Sequence, residues 1–234
     1  KFKTWQGGPT EKKYLKPKYG FNRFNWDLRR EPFEGVEKVF VYGGYNSGIV
    51  SPGNYKIKMN IGDKEYQNSF LLESDPNFNF KPSEYLEQEE LLLSIEKNIR
   101  NLNMMVTKAR NIKMQLENNI KKMDNKKELS DLIEMAKKIT FKIDEWEQNL
   151  IQPKQKTFQD VINFHNKLNA EFIYLHEYVN SLDPQVTSGA MERFKDLDAK
   201  FRMNMKTFEN DILGSIEKYN IEYERKNIPA IILQ

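Results

Sequence analysis

The sequence predicts an α+β chain of two modules: a small antiparallel Ig-like β-sandwich, followed by an antiparallel four-helix bundle with a long helical hairpin. Residues 1–81 are rich in glycine, proline and aromatic residues and lack helical period. Within them, residues 53–73 alternate apolar with polar side chains around a Gly-Asp turn. After Pro82, apolar residues recur every three or four positions over four stretches, which indicates amphipathic helices.

The predicted sandwich covers residues 1–81. Tyr55, Ile57 and Met59 alternate with lysines, a pattern typical of a strand with one buried and one wet face. Gly62-Asp63 marks a tight turn, and the following residues return as the partner strand. Residues 38–44 form another strand-like stretch. The prolines and asparagines of residues 73–82 mark the boundary to the helices.

The predicted bundle covers residues 82–226. Its first apolar stripe ends near Met123, and a helix of about 40 residues would be roughly 60 Å long. The second helix spans about 127–152, and the third follows a cap at Thr157 with His165 on its apolar stripe. We expect the long first and fourth helices to project as an antiparallel pair. The apolar tail, 227–234, would pack on the bundle or add a strand to the sheet.

Composition excludes several classes of function. The 234 residues include no cysteine, which rules out disulfides, thiol nucleophiles and thiolate zinc sites. The net charge of +3 is too small to indicate nucleic acid as a partner. Residues 1–81 carry 14 Lys+Arg against 9 Asp+Glu, a net of +5 that suits a separate front module. No apolar run is long enough for a transmembrane segment. Because the chain begins at Lys1 and not at methionine, we expect a piece of a longer or processed protein.

No motif indicates a reaction. The two histidines, His165 and His176, have no acidic residue at metal-ligand spacing, and we expect a partly buried core histidine and a surface one. Most carboxylates fall on solvated helix faces, and no phosphate-binding or dinucleotide-binding loop is present. We therefore predict a non-enzymatic chain with no catalytic residue, cofactor or metal.

Aromatic residues in loop-like segments are the better functional signal, because aromatics there can stack on sugars or anchor a partner. The candidate contacts with a partner or ligand are Trp5, Tyr42, Tyr45 and Asn46. These aromatics can equally fill the seam between the two modules, which is the interpretation we favour. The glycine-rich residues 42–48 are interpreted as a flexible loop.

An ordered set of motifs resembles the C-terminal region of large bacterial sortilin-like proteins with BNR/Asp-box β-propellers, often labelled glycosyl hydrolases. The pattern is G-x-N-R-x-x-W-D-x-R, then P-G-x-Y, then a hairpin that ends near D-P, then helices. The matching residues are Gly20, Asn22, Arg23, Trp26, Asp27, Arg29, Pro52, Gly53, Tyr55, Asp75 and Pro76.

The resemblance implies an accessory region of an exported protein, placed in the periplasm, at the outer-membrane surface or outside the cell. Its implied partners are a β-propeller domain, of the same or an associated chain, or a cell-envelope protein. The repeated Asp-box motif of the propeller is missing here, so the hydrolase label does not transfer. The motif residues would be scaffold: Phe24, Trp26 and Leu28 alternate inward along a strand, while Arg23, Asp27 and Arg29 pin neighbouring loops.

Our first hypothesis is a non-catalytic interaction module that positions a propeller or docks a protein partner. Docking would use the sandwich loops or the tip of the first helical hairpin, residues 105–140. One alternative is a region that completes the active site of a propeller glycoside hydrolase by lending Tyr45 or Asn46. Another is a carbohydrate-binding sandwich that uses Trp5 and the loop tyrosines.

Overall fold

The structure is a computed structural model that describes residues 16–41, 43–123 and 126–226. It confirms the α+β class: a two-stranded antiparallel sheet precedes a helical body. The strands are β1 (Gly53–Ile61) and β2 (Lys64–Leu72). The helices are α1 (Pro82–Met123), α2 (Ser130–Leu150), α3 (Leu168–Val179), α4 (Ser188–Thr207) and α5 (Gly214–Arg225). Short 3₁₀ helices lie at Lys127–Leu129 and Phe158–Ile162, and a π-helix, Phe208–Leu213, joins α4 to α5.

The hairpin of β1 and β2, which we call the ribbon (residues 53–72), is the sheet that the alternating pattern predicts. Gly62 supplies the left-handed turn with φ +57°, a conformation that glycine adopts without steric cost. Gly53 pairs with Leu72 at the base and Ile61 with Lys64 at the tip. The described residues contain no second sheet to complete a sandwich, because residues 38–41 and 43–44 contribute an isolated bridge residue at most and otherwise pack on the helices.

The helical body consists of four long helical segments, which we call rods. They are α1, α2, α3 and a fourth rod in which α4, the π-helix and α5 are continuous. Helices α2 and α3 both run antiparallel to α1, because the residue numbers of contacting pairs rise along α1 while they fall along α2 and α3. The contacts that fix these directions are Arg110–Glu147, Lys113–Asp144, Glu96–His176 and Asn103–Asn169. The fourth rod is antiparallel to α2, because Trp146 contacts Asn204 and Lys142 contacts Ser215. It therefore runs parallel to α1, and the predicted antiparallel pairing of the first and fourth helices is wrong.

The third helix begins later than its apolar stripe predicts. The carboxylate of Asp160 accepts hydrogen bonds from the backbone N–H groups of Lys156 and Thr157, both at 2.8 Å, which closes a short 3₁₀ turn. The α-helix begins only at Leu168. The two histidines consequently exchange their expected environments: His165 is exposed in the connection, and His176 is buried.

One apolar core joins the helices to the chain that precedes the ribbon. The α1 stripe is buried at Ile95, Ile99 and Leu102, as predicted. Residues 29–51, which we call the strap, contribute Phe33, Val36, Val39, Val41 and Tyr45 to the same core. The strap is therefore part of the helical body, whereas the predicted front module grouped it with the ribbon.

Candidate functional site

The first half of the strap, residues 29–37, lies along α1. Side chains of α1 donate hydrogen bonds to its carbonyl groups. Arg100 donates to the carbonyls of Glu31 at 2.7 Å and Pro32 at 3.2 Å. One helical turn later, Asn103 donates to the carbonyl of Glu34 at 2.7 Å, and Arg110 reaches that of Glu37. Helix side chains here supply the hydrogen bonds that a neighbouring strand would supply in a sheet.

The second half of the strap, residues 44–51, donates backbone N–H groups to polar side chains of α1, of α3 and of the first residue after α3. Gly44 N–H donates to Glu177 at 2.5 Å, and Gly48 N–H donates to Glu96 at 2.7 Å. Ile49 N–H donates to the Asn180 side chain at 3.1 Å. The glycine-rich residues 43–48 are mostly buried, so the prediction of a flexible loop is wrong over its described part.

Glu96 is the central residue of the contacts that attach the strap to the helices. Its carboxylate accepts from Arg30 at 2.7 and 3.1 Å and from Gly48, and it contacts His176 Nε2 at 3.2 Å. Burial alone would raise the pKa of Glu96, but the hydrogen bonds from His176, Arg30 and Gly48 together lower that pKa to about 2. Glu96 and His176 are 4% and 1% exposed, so neither side chain can reach a substrate in this conformation. These contacts of Glu96 therefore attach the strap to the helical body.

The close approach of strap to helix requires glycine at position 48. A Cβ atom there would lie 2.3 Å from Arg30 Nη2 and 3.1 Å from Glu96 Oε1. Sequence reasoning placed most carboxylates on solvated helix faces, did not single out Glu96, and missed this site. The available signal was its position next to Ile95 in the apolar stripe of α1. Its partner Arg30 lies 66 residues away in the chain, so no local spacing links the two.

The predicted contact residues do not converge on one surface. Trp5 and Tyr42 lie outside the described residues. Tyr45 is only 2% exposed, and burial raises the pKa of its hydroxyl. Tyr45 belongs to the core that the strap shares with the helices, and its ring is not available to a partner. Asn46 is exposed at the surface of the strap.

The first group of motif residues supports the base of the ribbon without forming the expected strand. Trp26 is 39% exposed and packs edge-on against Tyr55 and Phe70, with ring centroids 5.7 and 6.4 Å away. Phe24 is also exposed, and Leu28 has φ +58°, which breaks extended geometry. The expected inward alternation of Phe24, Trp26 and Leu28 is therefore wrong.

Other motif residues make local contacts. Arg29 donates to the Ser47 carbonyl at 2.9 Å, a contact between the two ends of the strap. Asp27 accepts weakly from the Arg29 N–H at 3.4 Å, and Asn22 closes a turn with Lys18 through bonds of 2.7 and 2.9 Å. Arg23 lies over the Phe21 ring at 5.9 Å. At the entry to β1, Pro52 and Gly53 are partly buried, and the Tyr55 hydroxyl donates to the Ser51 carbonyl at 2.5 Å.

The outer half of the ribbon presents an apolar face to solvent. Residues opposite one another in an antiparallel pair share a face, so the pairing of Ile57 with Asn68 and of Met59 with Tyr66 places them together. Ile57, Met59, Ile61 and Tyr66, which we call the ribbon face, are between 45% and 60% exposed. No described helix packs extensively against the ribbon. The pattern predicted a buried face here, but no element among residues 16–41, 43–123 and 126–226 covers its outer half.

Comparison with protein-family models, with curated proteins and with solved structures found no match. Among the described residues, no group of three or more histidines and acidic residues is placed to hold a metal ion. None of the helices in the described part of the chain is long and apolar enough to cross a membrane.

Proposed function

We propose that this chain is a non-catalytic interaction module in which a helical body holds out the ribbon as a docking element. The observation that carries the proposal is the uncovered ribbon face. Two-stranded sheets are marginally stable in water unless a further element covers their apolar side. Three large aliphatic side chains and a tyrosine on one side of such a sheet are therefore typical of a surface that another protein covers.

The shape of the ribbon supports an occupant that is itself a β-sheet. Both strands are edges, because the described sheet contains β1 and β2 alone. A partner strand could pair with either edge through backbone hydrogen bonds while its side chains cover the ribbon face. Lysines 56 and 58 point to the opposite side of β1 from Ile57, which confines the apolar contact to one face.

The location of the polar groups supports a role other than catalysis. Arg30, Glu96 and His176 are buried or half-buried, and they bind one another and the strap. Completion of an active site by Tyr45 loses its basis because that ring is buried. The resemblance noted above favours a β-propeller domain, of the same or an associated chain, as the occupant and places the module in an exported protein. The four amphipathic stripes of the sequence further favour a four-helix bundle as the architecture of the helical body.

A photo-crosslinking amino acid at position 57, introduced into the protein in the cells that produce it, tests the proposal. The matched control carries the same amino acid at position 71, because Leu71 is similarly exposed, at 59%, but lies on the opposite side of the ribbon. We expect crosslinks from position 57 that map to a β-strand of a neighbouring domain or chain, and few from position 71. Equal crosslinking from both positions, or none from position 57, would contradict the docking role.

A further inference from the structure

A second surface of the helical body, far along the chain from the ribbon, combines positive charge with an exposed aromatic ring. A solvent-filled groove of about 700 Å³ lies between α2 and α5. Four lysines and two glutamates line it, a net of +2, together with Met135, Ile139 and Phe141. We call it the lysine groove; its cations are Lys137, Lys138, Lys142 and Lys218. Phe141 is 62% exposed at its rim.

The charge around the groove differs in sign from the rest of the helical body. Residues 105–142, which include the tip of the α1–α2 hairpin, carry 10 Lys+Arg against 5 Asp+Glu, a net of +5. Residues 82–104 carry 2 against 5, a net of −3, and residues 143–226 carry 11 against 15, a net of −4. A basic region on an otherwise acidic body attracts anionic partners and repels basic ones.

Local pairing leaves part of this charge for a partner. Lys138 pairs with Glu134 at 2.5 Å, and Lys142 donates to the hydroxyl of Ser215 at 3.2 Å. The first contact lies along α2, and the second joins α2 to α5. Lys137 and Lys218 are the two other lysines that line the groove, one on each helix.

We infer that the lysine groove docks an acidic amphipathic α-helix of a protein partner. Helices α2 and α5 run antiparallel, so the groove between them follows the helix axes. A third helix can lie along such a groove with apolar residues at i, i+3, i+4 and i+7. Its apolar residues would contact Met135 and Phe141, and acidic residues on its flanks would face Lys137 and Lys218. Methionine adapts readily to the shape of such a partner.

The same residues argue against a lipid surface. A membrane-binding helix needs a continuous apolar stripe. The residues three and four positions from Phe141 are all charged: Lys137, Lys138, Asp144 and Glu145. An isolated aromatic ring among charges suits a protein contact with a central apolar anchor and a polar rim.

A displayed library of 20-residue helices tests this inference with the full chain as target. Apolar residues are fixed at i, i+3, i+4 and i+7 of each repeat, and the other positions are random. We expect the selected helices to be enriched in Asp and Glu. We also expect them to bind at least tenfold more weakly to the double variant Lys137→Glu/Lys218→Glu and to Phe141→Ala. The matched control, Lys200→Glu on the exposed surface of α4, should change affinity less than twofold.

Three outcomes would overturn the inference. The selected helices show no acidic enrichment, or they bind the groove variants as tightly as the parent chain, or the chain binds vesicles of anionic phospholipid through Phe141 instead. Circular dichroism of each variant establishes that it is folded. These results are independent of the ribbon crosslinks, so failure here and failure of the ribbon proposal can be distinguished.

Discussion

The strap and the ribbon are neighbours in the chain, and the structure treats them in opposite ways. Both contain short apolar runs that sequence patterns assign to strands. The ribbon pairs its backbone with itself through nine residues on each strand. The strap instead bonds its backbone to side chains of α1 and to Glu177 and Asn180 at the end of α3. The strap is covered by helices, whereas no element in the described part of the chain covers the outer ribbon. We therefore propose the ribbon, and not the strap, as the surface for recognition.

The largest effect should come from removing the central carboxylate of the strap attachment. Glu96→Ala removes the acceptor of the Gly48 N–H and of Arg30 Nε and Nη2 in a buried site, while Arg30 Nη1 keeps its contact with Glu89 at 3.1 Å. Breaking a buried ion pair in this way costs about 3–5 kcal/mol, and we expect that loss in the free energy of unfolding measured with urea. The matched control is Glu90→Gln, an exposed position on α1, where we expect a change within about 0.5 kcal/mol. Equal effects at both positions would show that the strap is not held by Glu96.

The same carboxylate should make stability depend on pH. Its folded-state pKa is about 2, below the ordinary value of 4.5. A depressed carboxyl pKa contributes stability above the unfolded value, and that stability is lost as pH falls from 4.5 toward 2. We therefore expect the difference in free energy of unfolding between the parent chain and Glu96→Gln to shrink across this window. A difference that stays constant from pH 5 to pH 2 would contradict the assigned pKa.

A smaller effect should follow from the glycine at the closest approach of strap and helix. Gly48→Ala places a methyl group against Arg30 and Glu96 and should cost about 1–3 kcal/mol. Gly189→Ala is the matched control, because a Cβ atom there meets no atom within 4 Å. Thermal unfolding of both variants provides the comparison. A lower melting temperature for Gly189→Ala than for Gly48→Ala would contradict the packing described here.

The smallest effect on stability should come from the ribbon face. Ile57→Asn and Ile61→Asn change exposed positions, and we expect each to alter the free energy of unfolding by no more than about 0.5 kcal/mol. In a chain that carries the crosslinking amino acid at position 57, Ile61→Asn should nevertheless abolish the crosslinks expected from the ribbon. A large loss of stability would show that the ribbon face is part of the folding core and would remove the argument for docking.

Much of the helical body can be predicted from sequence, because the recurrence of apolar residues every three or four positions is visible within each helix. The stripe through Ile95, Ile99 and Leu102 fixes a long helix and its buried face before any partner is known. The ribbon is similarly local, since Gly62 and the alternation on either side define its turn and register.

The attachment of the strap could not be predicted in this way. Arg30 and Glu96 are 66 residues apart, and Gly44 and Glu177 are 133 apart, so their pairing depends on how the rods assemble. The apolar run at 38–44 looks the same whether a strand or a helix covers it. The exposure of the ribbon face could not be predicted from the sequence either. Alternation shows which residues share a face and not whether another element covers that face.

Hydrogen–deuterium exchange, measured on this chain alone and on its complex with the partner that the ribbon crosslinks identify, tests the contrast between strap and ribbon most directly. The account predicts that amides of β1 and β2 near Ile57 and Met59 gain protection in the complex. Amides of the strap at Gly44, Gly48 and Ile49 should be protected equally in both samples. Ribbon amides that exchange at the same rate in both samples, or strap amides that become protected only in the complex, would contradict it.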